Sequence, residues 1–120
     1  MCYRSKFEKA VADDLTKRGV DVLYETEKLP YTVPSTEHTY TPDFLLTSGV
    51  YVEAKGHFDL DSRKKMLYVI ESNPDKDIRI LFQNPNVRLY KNSKTTYGVW
   101  CDKHNIKWAA KRIPDDWLNI

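Results

Sequence analysis

At 120 residues the chain is the size of one domain, able to bury a single core but marginal enough to gain from dimerisation. Its 19 Lys and Arg against 17 Asp and Glu leave a net charge of only +2, so a nucleic-acid surface, if present, is a basic face within a balanced total. No apolar run approaches the roughly 20 residues of a membrane span, and no signal peptide precedes the globular pattern. Cys2 and Cys101 lack metal-ligand spacing. They are expected as reduced thiols of a soluble cytoplasmic protein, not as a disulfide scaffold or a zinc site.

The chain opens on a predicted helix from an N-cap at Ser5 to about Arg18, with Phe7, Val11 and Leu15 on one stripe and Gly19 ending it. Ser5-Lys6-Phe7-Glu8 fits a capping box, in which Glu8 bonds back to the Ser5 backbone. Val20 to Tyr24 is strand-like. Between Pro30 and Thr41 stand two prolines and no glycine. Pro34 fixes its own φ and holds Val33 extended, so the segment reads either as a surface loop or as a straight bridge. A hairpin spans roughly Tyr40 to Lys55. Asp61 or Ser62 can cap a second helix reaching Ser72, where Asn73 and Pro74 stop it. A buried strand at Ile78 to Phe82 follows, then a short helix around Tyr97 to His104, a strand at Ile106 to Ala109, and a final turn opened by Pro114 and carrying Trp117. No repeat interrupts this order, and strands interleaved with helices predict an α/β sandwich, a mixed central sheet flanked by helices.

The chemistry-bearing segment is Thr41 to Gly56, where Pro42-Asp43 stands ten residues ahead of Glu53-Ala54-Lys55. Phe44 to Leu46 and Val50 to Val52 are apolar, and Gly49 suits the left-handed last position of a three-residue turn over Thr47 to Gly49. Pairing Leu46 with Val50 places Phe44 opposite Val52 and Asp43 opposite Glu53, with Cβ atoms roughly 5 Å apart. Lys55, two residues beyond Glu53, returns to the same face. Two like charges facing each other on a sheet call for a compensating cation. Mg²⁺ held by Asp43, Glu53 and the Ala54 backbone carbonyl would supply it, with Mn²⁺ as a substitute. Such an ion beside an ammonium suits phosphodiester hydrolysis, whereas a bare hairpin with a solvated charged face is the bland alternative.

Further strings extend this motif. Leu29-Pro30-Tyr31, Val33-Pro34, His38 to Leu46, Val52 to Gly56, Asp61 to Lys65, Asp77 to Ile80, Leu89-Tyr90-Lys91, Thr96-Tyr97-Gly98, Lys103-His104 and Ile113-Pro114 together resemble the phage endonuclease I family of Holliday-junction resolvases. The likeness covers nearly the whole chain. It implies a PD-(D/E)xK nuclease core, a domain-swapped homodimer in which about 31–40 forms the bridge between swapped halves, and metal-dependent nicking of four-way DNA junctions in the phage-infected host cytoplasm. It also implies a catalytic set of Glu8, Asp43, Glu53 and Lys55, and so favours a catalytic Glu8 over a purely capping one. Ala54 stands where relatives carry a hydroxyl residue, which leaves a backbone carbonyl ligand unaffected. The basic extensions at both ends of relatives have no counterpart here, and weaker phosphate binding is expected.

Candidates for contact with DNA are His38, His57, Arg63, Lys64, Lys65, Lys91 and Lys94, with Lys103, Lys107, Lys111 and Arg112 as further surface cations, many of which are ordinary solvated residues. The three Trp and eight Tyr are expected in core and interface, not as base-stacking platforms. Two other functions fit the same features. One is a sequence-directed nicking or homing endonuclease on this core; the other is a non-catalytic DNA-binding protein with a nuclease fold, against which intact Asp43, Glu53 and Lys55 argue.

Overall fold

A computed structural model describes residues 4–33 and 36–118, with the backbone alone at 32, 33, 36 and 37. Cys2 and Pro34 therefore lie outside the described residues. The element order is α1 (Lys6–Lys17), β1 (Val22–Tyr24), β2 (Leu29–Val33), β3 (Thr36–Tyr40), β4 (Phe44–Leu46), β5 (Val50–Lys55), α2 (Leu60–Ser72), β6 (Asp77–Phe82), α3 (Tyr97–Lys103), β7 (Trp108–Ala110) and α4 (Asp115–Leu118). Five strands form one mixed sheet in the order β1-β4-β5-β6-β7. The pairs β1/β4 and β4/β5 are antiparallel, while β5/β6 and β6/β7 are parallel. Helices connect the parallel strands, as such crossovers require.

Alternation along β5 divides the core. Val50, Val52 and Ala54 face a cluster with Val11, Ala12 and Leu15 of α1, Phe44, and Trp117 and Leu118 of α4. Tyr51 faces the other cluster, with Met66 and Val69 of α2, Phe58, and Trp100 and Cys101 of α3. Phe44, Val52, Leu15 and Phe58 are fully buried, each contributing roughly 1.5–3 kcal/mol by leaving water. Phe58 is the hub of its layer, edge-on to Phe82, Tyr97 and Trp100 at centroid separations of 5.4, 5.8 and 5.1 Å.

Helix starts follow local chemistry. Ser5 caps α1 by accepting from the Glu8 backbone N–H, and Gly19 takes φ +68° after the helix ends. The cap of α2 is Asp59, whose side chain accepts from the Ser62 backbone N–H; the expected caps Asp61 and Ser62 fall inside the first turn. Both Asx and Ser side chains can cap, and the chain direction out of β5 brings Asp59 to that place. The C-terminal turn winds into the short helix α4.

The largest departure from expectation is segment 31–40. In the single chain it does not run straight: β2 and β3 pair antiparallel, from Leu29 opposite Tyr40 to Val33 opposite Thr36. Burial explains the fold-back, because Leu29 and Tyr40 both enter the α2-side core. The Asn73 side chain also donates to the Pro30 carbonyl at 2.7 Å, tying β2 to the end of α2.

Candidate active site

The β4–β5 hairpin has the register its sequence predicts, Phe44 opposite Val52 and Leu45 opposite Tyr51. Gly49 closes the turn at φ +91°, with its N–H donating to the Leu46 carbonyl. One step further Asp43 is level with Glu53, just before β4 begins. There its carboxylate, not a strand carbonyl, accepts the Ala54 N–H at 2.9 Å. Along a strand the N–H and C=O of one residue point to the same side and successive residues alternate. Lys55 sends its carbonyl to Gln83 on the β6 side at 3.0 Å, so the Ala54 carbonyl points toward Asp43, past the end of β4.

Asp43 and Glu53 are both buried. Burial, then the charge of Glu53 and a hydrogen bond with it, push the Asp43 carboxyl up to about 9, while the Ala54 N–H and Lys55 pull the other way. Near neutral pH the two carboxyls therefore resist ionising together. Lys55 Nζ lies 3.8 Å from Glu53 Oε2 and is about one-quarter exposed, too loose an ion pair to offset two buried acids.

Glu8 reaches the same place from α1. Its backbone N–H donates to Ser5 Oγ at 3.1 Å, but its carboxylate accepts from the Tyr24 hydroxyl at 2.5 Å, so the side chain is directed inward. Burial raises its pKa against the Tyr24 hydrogen bond, and the charge of Asp43 adds to the rise. Tyr24 sits on β1 opposite Phe44. Glu8 thus comes within reach of the Asp43 charge from α1, while Asp43, Glu53 and Lys55 stand together at the edge where β4 starts and β5 ends.

Among the described residues, no three His, Cys, Asp or Glu side chains are close enough to share one ion. The smaller set of Asp43, Glu53 and the Ala54 carbonyl still fits Mg²⁺, which commonly takes one or two carboxylates and keeps several waters. The suppressed ionisation of Asp43 beside Glu53 is a local conflict that a divalent cation would relieve. A surface cavity of about 470 Å³ lined by residues including Arg79, Asp102, Trp108 and Trp117 contains none of these groups. A polymer lying across a sheet edge needs no such pocket.

The predicted surface contacts divide. His57, Lys64, Lys91 and Lys94 are exposed. Arg63 is not: it is buried and donates to the Phe58 carbonyl at 2.8 Å, so its charge serves the turn before α2. Lys65 lies over the rings of Tyr31 and Tyr40 at 6.0 and 5.5 Å, and the exposed His38 stacks on Tyr31 at 5.2 Å. Sequence reasoning missed Tyr24 and Tyr40, whose hydroxyls stand among the acids. Tyr40 had a signal in its place three residues before Asp43; Tyr24 had none.

The family model described as Phage endonuclease I matches residues 1–120. The chain is 47% identical over 116 residues to "Endonuclease I" of Escherichia phage T7, spanning 97% of this chain and 78% of that protein. It is 46% identical over 112 residues to "Endodeoxyribonuclease 1" of Enterobacteria phage T3, spanning 93% of this chain and 74% of that protein.

Proposed function

This chain belongs to the phage endonuclease I family, and from that premise we propose that it is a Mg²⁺-dependent DNA endonuclease with a PD-(D/E)xK core that nicks four-way junctions as a homodimer. The observation that carries the reading is the buried Asp43–Glu53 pair with Lys55 beside it at the open end of β5. Asp43, Glu53 and the Ala54 carbonyl would hold the ion, which polarises a scissile phosphate and makes a bound water more acidic. Lys55 places an ammonium where negative charge develops. Glu8, held by Tyr24, adds a fourth charged group from α1.

The dimer reading rests on β2 and β3. Their register is symmetric about the two-residue connection 34–35, so the same pairs form if β2 comes from one chain and β3 from another. Exchange at that point carries α1 and Glu8 across, so each site would combine Glu8 of one chain with Asp43, Glu53 and Lys55 of the other.

Cleavage of an immobile four-way junction compared with a linear duplex of the same arms tests the substrate. The junction should be cut far faster, and Asp43→Asn and Lys55→Ala should abolish cutting while retaining junction binding. Equal rates on both DNAs, or one preferred linear sequence, would favour a sequence-directed nickase. Substantial Mg²⁺-dependent cleavage by Asp43→Asn would refute the site.

A further inference from the structure

Tyr40 is 2% exposed, and its hydroxyl has no hydrogen-bond partner among the described residues. Leaving a buried hydroxyl unmatched costs roughly 1–3 kcal/mol, and native structures match almost all such groups. Its location suggests why this one persists. The charges that bear on it are those of Glu53 and then Asp43, and Glu53 is near enough to interact with the hydroxyl without forming a well-shaped hydrogen bond. The ring cannot swing away. β3 pairs Tyr40 with Leu29, Lys65 covers its face at 5.5 Å, and the side chain is embedded in the α2-side core. Only Thr41 and Pro42 separate it from Asp43, and proline stiffens that link.

A carboxylate offers two oxygens with about four acceptor sites, so Glu53 can hold a cation and still accept from the Tyr40 hydroxyl beside it. We propose that Tyr40 is a positioning residue for the metal-loaded site, donating its hydroxyl hydrogen to Glu53 and fixing the orientation of that carboxylate. A small turn of the Glu53 carboxylate toward the ion would bring an oxygen into line with that hydroxyl. The inference rests on Asp43 and Glu53 being the metal-holding pair.

Tyr40→Phe removes the hydroxyl and keeps the ring. Mn²⁺ binding to the metal-free protein, followed by calorimetry with Asp43→Asn as the non-binding control, should weaken about 10-fold or more, the usual effect of losing a ligand's hydrogen-bond partner. The thermal midpoint without metal should stay the same or rise. With saturating Mn²⁺, kcat on a junction should fall and KM should hold. If wild type binds Mn²⁺ and Asp43→Asn does not, yet Tyr40→Phe binds as tightly as wild type, the role of Tyr40 is refuted while the site stands. A metal-free midpoint several degrees lower would show a structural hydroxyl and also overturn the proposal. Equal binding by wild type and Asp43→Asn would overturn the site itself, and Tyr40 with it.

Discussion

Divalent-ion binding should strengthen steeply with pH, because the ion must displace a proton from Asp43. Burial and the neighbouring Glu53 hold that carboxyl at about 9. Between pH 6 and 8 the affinity should therefore rise about tenfold per pH unit, and at pH 7 deprotonation should offset binding by about 3 kcal/mol at 1.36 kcal/mol per pH unit. Calorimetry in two buffers of different ionisation enthalpy counts the proton directly, with about one released per ion at pH 7. The same shift has an opposite-signed effect on folding. A carboxyl raised in the native state binds its proton more tightly there than in the unfolded chain. Its stabilising contribution is complete below about pH 4 and is lost as pH rises toward 9. Metal-free wild type should thus melt progressively lower across that window, and Asp43→Asn, which resembles the protonated acid, should not follow it. Flat metal affinity from pH 6 to 8 with no proton release would refute the buried-pair reasoning.

Further outcomes test the assembly, the DNA face and the core. A purified heterodimer of a Glu8→Ala chain with an Asp43→Ala chain should regain nicking of one strand, since exchange at 34–35 puts both lesions in one site; mixed dimers that bind junctions but stay inactive would count against composite sites. Lys91→Ala should weaken DNA binding and lower the salt slope by about 0.9 if Lys91 meets a phosphate. Arg63→Ala should instead lower the melting temperature, because its bond to the Phe58 carbonyl is internal and is worth roughly 1.5–3 kcal/mol; the reverse pattern would mean the two cations are misassigned. Gly98→Ala should destabilise by about 1–3 kcal/mol through overpacking, measured by denaturant melts. Its new Cβ would lie 2.7 Å from the Trp108 ring, whose Nε1 is held by Asp102 at 2.8 Å.

Local chemistry in the sequence determined most of the elements and the register of the acid hairpin. Ser5 ahead of an apolar stripe, Gly49 after Thr47-Ser48, and the period of two from Asp43 to Lys55 each act within a few residues, so helix start, turn and register were legible without a structure. Those short-range rules set Asp43 level with Glu53 and set Lys55 on the Glu53 face. What decided the rest is contact between segments distant in the chain. Segment 31–40 has no turn glycine, yet Leu29 and Tyr40 fold it back by burying in one core. Arg63 has the composition of a DNA contact, but the path from β5 into α2 buries it against Phe58. The inward turn of Glu8 depends on Tyr24, 16 residues away on β1, and the Tyr40 hydroxyl is closed off from water by the α2-side core beside the Glu53 and Asp43 charges. Hydrogen-bond partners and desolvation are properties of packed neighbours, and only the tertiary fold supplies those neighbours.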